Sequence, residues 1–449
     1  MENPESTAVP TVRESVRLIH EGAATSEQLV RACLDVIDAT EPGVGAWVSI
    51  DREQALDQAK KLDESRRRGR PLGELHGIPV GIKDNFDTAQ LPTRRGTPIY
   101  VGRQPDADCA VVEKLREAGA VILGKTVCTE FAWMHPSATR NPHNAAHTPG
   151  GSSSGSAAAV AAGQVPLAVG SQTNGSVLRP ASYCGIYGFK PSAGIISRRG
   201  VFETSATLDQ VGVFARDAGD AALLADVLGG YDAADPMSYL APRPKMLPGY
   251  LAEVPIEPNF AWIDELPYAD RYSEATRLGC EELLDRLGAQ VERIPAPQSF
   301  AGLLECHKVI YDYEIVRCLA SEYADHRDLI SATAASALES ARSRTREDYD
   351  AALATLEGAK AWFRQFFYDY DAIVTPAALG EAPPLSDGTG DPVCSTIWTL
   401  CGLPCLAVPL LAGDGNLPIG VQLVAGHNED DRLFRTTRWL LANLNPDHA

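Results

Sequence analysis

Three residues in this chain have the types and settings needed for nucleophilic chemistry. Lys83 follows a short apolar run, Ile78-Pro79-Val80-Gly81-Ile82, that reads as a buried strand. Desolvation at the end of such a strand favours the neutral amine, which makes a lysine usable as a base. Ser152 lies in the loop Pro149-Gly-Gly-Ser-Ser-Ser-Gly-Ser, where glycines tolerate a strained backbone ahead of a helix of very small residues. Ser176 closes the run Gln172-Thr-Asn-Gly-Ser, and the N–H groups of Thr173, Asn174, Gly175 and Ser176 can converge on a developing oxyanion. Each residue also has a plainer reading. Lys83 alone reads as a structural partner of Asp84 or Asp87, and either serine alone reads as a turn former or helix cap.

Other patterns compete with this constellation. Gly119 to Thr126 matches the phosphate-loop spacing, but Ala, Val, Ile and Leu fill the gap between the glycines, so the segment reads as a strand. Gly151-Ser-Ser153-Ser-Gly155 matches a nucleophile elbow, which belongs after a buried strand. The preceding run, Asn141-Pro-His-Asn-Ala-Ala-His-Thr-Pro149, is turn-like, although His307, His326 and His427 downstream leave an α/β-hydrolase-type esterase open. His143 and His147 have helical metal-pair spacing, but two prolines bracket them and no glutamate falls between. Cys401 and Cys405 lack CxxC spacing and nearby histidines. Neither a metal site nor a cofactor is expected.

Composition narrows the class. The 449 residues are 45% hydrophobic and 22% charged, as in an ordinary globular enzyme. A net charge of −19 disfavours a phosphate backbone as partner, so no nucleic-acid binding is expected. The ten scattered cysteines read as buried thiols, and cytoplasmic residence is expected. No apolar run is long enough for a membrane span. Residues 1–14 lack the basic start and apolar core of a secretory leader and read as a flexible tail.

The elements that must position these groups alternate between helix and strand. Thr25 and Gln28 form a capping-box pattern before a helix near 26–39, which Pro42 and Gly43 are expected to stop. Helices at 52–65 and 108–118 flank the 78–82 strand, and a strand follows at 120–123. A helix and strand occupy 273–294, and a long helix lies near 346–367. Short strands return over 401–426. With no repeat or linker, residues 15–445 read as one α/β domain.

Three segments together resemble the amidase signature family: Gly77-Ile-Pro-Val-Gly-Ile-Lys83, Pro149 to Gly163, and Thr173-Asn-Gly-Ser176 continued by Arg179-Pro-Ala-Ser-Tyr-Cys-Gly and Gly188-Phe-Lys-Pro191. Lys83 and Ser152 are 69 residues apart, and Ser152 and Ser176 are 24 apart, which fits the family. The likeness runs over about 15–225 and 370–440. It implies a large mixed β-sheet flanked by α-helices on both sides. It also implies a triad in which Ser176 is the nucleophile and Ser152, on a cis peptide, relays its proton to neutral Lys83. The oxyanion would be held by the backbone of Thr173 to Ser176, and 230–370 would be the variable, substrate-shaping region.

The chain departs from the family pattern at Gln172, where aspartate is usual, and at Asn174, where glycine is usual. At Leu178 the family has arginine, which here comes one residue later as Arg179. The implied activity is hydrolysis of linear amides, with aryl amides, esters and carbamates as related substrates, by a monomer or homodimer. The alternative within the family is the A subunit of a tRNA-dependent amidotransferase, which releases ammonia from glutamine for a partner.

Overall fold

In the computed structural model, residues 10–444 are described. Of the tail expected at 1–14, residues 1–9 lie outside the described part, and Val12 to Glu14 already belong to a helix, Val12–Glu21. The framework is one sheet of eleven strands: β1 (Trp47–Ile50), β2 (Pro79–Lys83), β3 (Val121–Thr126), β4 (Leu167–Gln172), β5 (Tyr187–Lys190), β6 (Gln210–Ala215), β7 (Phe260–Asp264), β8 (Val291–Pro295), β9 (Ala372–Pro376), β10 (Cys405–Ala412) and β11 (Pro418–Val424). Their spatial order is β1-β3-β2-β4-β6-β5-β10-β11-β9-β7-β8. β3, β2 and β4 run parallel, as do β9, β7 and β8 at the other end, and the pairs between β4 and β9 are antiparallel. The mixed sheet with helical layers is therefore present.

Strand periodicity divides the core between the two faces. Leu167 and Val169 of β4 join the apolar cluster built with helices Val12–Glu21, Ala110–Glu117, Ala218–Leu228 and Asp430–Leu444. Ala168, on the opposite face, joins the cluster built with Ser26–Val44, Ser154–Ala161, Leu303–Cys318, Arg346–Phe366 and Val393–Leu400. Both faces are covered, which is why the central strands read as continuous apolar runs instead of alternating ones. No helix among the described residues is long and apolar enough to cross a membrane.

The capping box forms, with Thr25 Oγ1 accepting from Gln28 N at 3.1 Å and Gln28 Oε1 accepting from Thr25 N at 2.9 Å. The expected stop at Pro42 is wrong, because the helix runs on to Val44. A proline in the last turn removes a single intrahelical bond. The end is instead closed by Gly45, at φ 65°, whose N–H donates to Glu41 O at 2.9 Å. The Glu41 carboxylate also accepts from Ala46 N at 3.0 Å and Trp47 N at 2.9 Å.

The region 230–370 contributes β7 and β8 to the common sheet, together with the helices Leu303–Cys318 and Arg346–Phe366 that cover one face. The small-residue helix Ser154–Ala161 lies close to its neighbours because it has almost no side chains. A Cβ on Gly155 would sit 2.2 Å from Ala46 O, and one on Gly170 of β4 would sit 2.7 Å from Ser153 Oγ. That close approach brings the Ser152 loop down onto the carboxyl end of β4.

Candidate active site

Parallel pairing explains how distant segments meet. β2 and β4 are parallel neighbours with Ile82 opposite Val169, so Lys83 and Ser171 both emerge at the carboxyl edge of the sheet. Ligands bind at that edge in open α/β sheets. Lys83 Nζ donates to Ser152 Oγ at 2.8 Å and to Ser171 Oγ at 2.9 Å, and it lies 3.3 Å from Ser171 O. Asn85 Nδ2 donates to the same Ser171 hydroxyl at 3.0 Å. Lys83 is fully buried, and burial lowers its pKa to about 8, with weaker opposing pulls from Cys128 and Asp209. The peptide bond from Gly151 to Ser152 is cis.

The plainer partner for Lys83 is taken elsewhere. Asp84 pairs at 3.7 Å with a second buried lysine, Lys125, and Asp87 pairs with Arg103 at 2.7 Å. Lys125 lies in β3, inside the phosphate-loop lookalike, and donates to Thr93 Oγ1 at 2.8 Å, to Thr88 Oγ1 at 3.3 Å and to Phe86 O. Lys125 thus has a carboxylate partner and Lys83 has only hydroxyls and a carbonyl.

Ser153, the centre of the elbow lookalike, is buried and donates to Ser171 O at 3.3 Å. His143 and His147 meet the carbonyls of Cys184 and Ala382 at 2.9 and 2.7 Å.

Thr173 to Ser176 form the turn between β4 and helix Leu178–Cys184, and all four line a cavity of about 1000 Å³. Among the described residues, the N–H groups of Asn174, Gly175 and Ser176 have no hydrogen-bond acceptor. The turn is framed from behind. Gln172 Oε1 accepts from Val177 N at 2.7 Å and Leu178 N at 3.0 Å, and Gln172 Nε2 donates to Thr399 Oγ1 at 2.8 Å. Thr399 Oγ1 donates to Asn174 O at 2.5 Å, and Thr396 Oγ1 donates to Asn174 Oδ1 at 2.7 Å. Two of the departures from the family pattern thus form a neutral amide frame of their own.

Arg179, buried, donates to Gly390 O at 2.6 Å and to Gly151 O at 2.5 Å, tying the cis peptide to the loop before helix Val393–Leu400. The buried carboxylate of Asp209 accepts from Thr173 Oγ1, Thr204 N and Ser205 N. Burial raises its pKa against those hydrogen bonds.

The cavity wall carries the aromatic rings of Trp133, Tyr183 and Tyr311, with Met134, Leu304 and Leu379. Its lining cations are Arg179, held by carbonyls, and Lys308, bonded to Asp312. Glu381 and Asp387 also face it. Residues 304–340 supply part of this wall, a contribution that no sequence motif marks. Thr396, Thr399 and Asp209 are not legible as site residues, because a lone polar residue on a helix or loop carries no spacing signal, and His307 is legible only as a downstream histidine of the elbow pattern.

The family model described as Amidase matches residues 28–434. The A subunit of glutamyl-tRNA(Gln) amidotransferase from Anaeromyxobacter sp. (strain K) is 34% identical over 481 aligned positions, covering 97% of this chain and 96% of that protein. Among solved structures, a chain from a vestigial protein complex, described as revealing the evolutionary origins of an s-triazine catabolic enzyme, superposes with a TM-score of 0.90. It is 27% identical and covers 96% of this chain and 98% of its own. The native peptide amidase of Stenotrophomonas maltophilia superposes with a TM-score of 0.82 at 26% identity, covering 97% of each chain.

Proposed function

The chain belongs to the amidase family, and on that premise we propose that it hydrolyses linear amides through Ser176, Ser152 and Lys83. The observation that carries this reading is the 2.8 Å contact between Lys83 Nζ and Ser152 Oγ in surroundings that favour the neutral amine. Ser176 Oγ attacks the substrate carbonyl carbon while its proton passes through the Ser152 hydroxyl to Lys83. The oxyanion is held by the unpaired N–H groups of Asn174, Gly175 and Ser176. As the tetrahedral species collapses, the C–N bond breaks and the proton returns through Ser152 to the departing nitrogen, leaving an acyl ester on Ser176. Water then attacks that ester, giving its proton to the same relay, and Ser176 is regenerated with release of the acid.

The cavity wall supports a substrate with an apolar or aryl group, because Trp133 and Tyr311 offer ring surfaces beside Met134, Leu304 and Leu379. Aryl amides fit this description, as do esters and carbamates, which present the same carbonyl to Ser176. The stretch from Leu304 to Ser340 shapes the wall and so sets the acyl or amine preference.

A second reading is supported by the 34% identity to the A subunit of an amidotransferase over almost the whole chain. In that case the substrate is glutamine, and a protein partner receives the ammonia. The glutamine carboxylate would need a counter-charge. Of the two lining cations, Lys308 is paired with Asp312, while Arg179 is held by the carbonyls of Gly390 and Gly151 and has no carboxylate partner.

The test is a serine-directed fluorophosphonate followed by peptide mapping, run beside an assay on acyl anilides and on glutamine. The adduct is expected on Ser176, and Ser176→Ala is expected to remove both labelling and anilide turnover. An adduct on Ser153, or full turnover by Ser176→Ala, overturns the triad. Glutaminase activity without anilide cleavage selects the amidotransferase reading.

A further inference from the structure

His307 lies on helix Leu303–Cys318, in the region without motifs, and its Nε2 meets Thr173 O at 2.9 Å. A carbonyl can only accept, so Nε2 carries the proton and the imidazole donates. The ring is 3% exposed and packs edge-on against Tyr311, with centroids 6.1 Å apart. Burial lowers its pKa to about 4, so it remains a neutral donor over the working pH range.

The consequence follows from peptide geometry. In a trans peptide the C=O and the next N–H point in opposite directions from one plane. Fixing Thr173 O on His307 therefore fixes the direction of Asn174 N–H. Fixing Asn174 O on Thr399 Oγ1 does the same for Gly175 N–H. These two N–H groups are among those without an acceptor in the described residues. A donor left unpaired in a largely buried turn costs stability, so its orientation has to be imposed by bonds elsewhere.

We infer that His307 is a positioning residue of the oxyanion turn, acting on Thr173 O so that Asn174 N–H faces the reacting carbonyl. Thr399 is its counterpart on the next peptide. The inference rests on Ser176 being the nucleophile, as proposed above. It assigns part of the transition-state machinery to helix Leu303–Cys318, which also presents Leu304, Lys308 and Tyr311 to the substrate. Substrate contacts on that helix and the aim of the oxyanion turn are thereby coupled through one element.

The experiment compares His307→Leu, His307→Gln and Thr399→Val with the unaltered protein, measuring kcat, KM, Tm and affinity for an aryl trifluoromethyl ketone. That ketone forms a tetrahedral oxyanion adduct with an active serine. Its affinity therefore reports the oxyanion turn directly. His307→Leu is expected to lower kcat about 100-fold, the scale of losing one oxyanion donor, with KM nearly unchanged. Ketone affinity should fall by the same factor as kcat/KM. His307→Gln restores a donor at nearly the same reach and should recover most of the loss. Thr399→Val should reproduce the leucine phenotype, and it carries the test if His307→Leu does not fold.

The positioning role is overturned if ketone affinity is unchanged while kcat falls. It is also overturned if His307→Gln is no better than His307→Leu at equal Tm, or if folded His307→Leu keeps full kcat. If the ketone does not bind the unaltered protein at all, the nucleophile assignment fails, and the positioning role with it.

Discussion

Lys83 Nζ and Ser152 Oγ stand 2.8 Å apart although they are 69 positions apart in the chain. The contact arises because β2 and β4 are parallel neighbours and the small-residue helix Ser154–Ala161 packs against both strands. The amine has no carboxylate partner, since Asp84 is engaged by Lys125. A charged Lys83 would therefore be a buried cation held only by hydroxyls and a carbonyl, an environment that favours release of its proton.

A pH dependence follows for both rate and stability. Burial takes Lys83 from 10.5 to about 8, so kcat/KM should rise with pH through about 8 and then level off. Stability has the same sign. Between pH 8 and 10.5 the unfolded lysine holds a proton that the folded one has lost, so the Lys83 contribution rises with pH across that window. Lys83→Met should abolish turnover and remove that rise, by up to about 3 kcal/mol between about pH 7 and 10.5. Urea denaturation of both proteins at several pH values measures it. Parallel stability curves for the two would show that Lys83 keeps an ordinary pKa.

Gln172 offers a test of the neutral frame behind the turn from Thr173 to Ser176, the proposed oxyanion site. Its carbonyl oxygen accepts from Val177 N and Leu178 N, while its amide donates to Thr399 Oγ1, which in turn donates to Asn174 O. In Gln172→Glu, a second carboxylate oxygen replaces that amide donor. The Thr399 hydroxyl must then turn to donate to it, abandoning Asn174 O. The variant should lose about 1 to 3 kcal/mol of stability and at least about 10-fold in kcat, with KM little changed. Thermal unfolding and steady-state kinetics on one anilide suffice. A fully active, equally stable Gln172→Glu would mean that the frame is indifferent to charge.

Legibility followed sequence locality. Lys83, Ser152 and Ser176 each lie in a short run of diagnostic composition, so they stand out in the sequence alone. The helices Arg52–Arg67 and Arg346–Phe366 were readable from periodicity close to their observed ends. The helix end at Val44 is not legible, because proline reads as a stop although in a last turn it breaks only one bond. The order of the sheet was not readable, since β5 pairs with β6 and with β10, more than two hundred residues away, through backbone groups that all residues share. The contact of His307 with the turn was hidden for a related reason. What gives it a role is the carbonyl it meets, 134 positions earlier in the chain.

The aromatic wall yields the last prediction. Trp133 is half-buried and meets Tyr311 edge-on with centroids 6.1 Å apart, and both rings line the cavity that holds Ser176. Phe131 and Ala132, just before it, have φ of 53° and 55°. Side chains other than glycine adopt that region at a cost, so the surrounding packing fixes the segment and with it the tryptophan. A rigid ring pair gains most from substrates that present a ring of their own, by about 0.5 to 1.5 kcal/mol per aromatic contact beyond the area buried. Trp133→Ala should therefore raise KM for an aryl anilide by about 10-fold while leaving KM for acetamide or propionamide nearly unchanged, because these carry no ring to pack on the wall. kcat should change little for either, since the residue does not touch the reacting atoms. The measurement is a pair of saturation curves for each protein, with Tm recorded to show that the fold is retained. Equal losses for the aryl and the short aliphatic amide would place Trp133 among supporting residues and remove the argument for an aryl-binding wall.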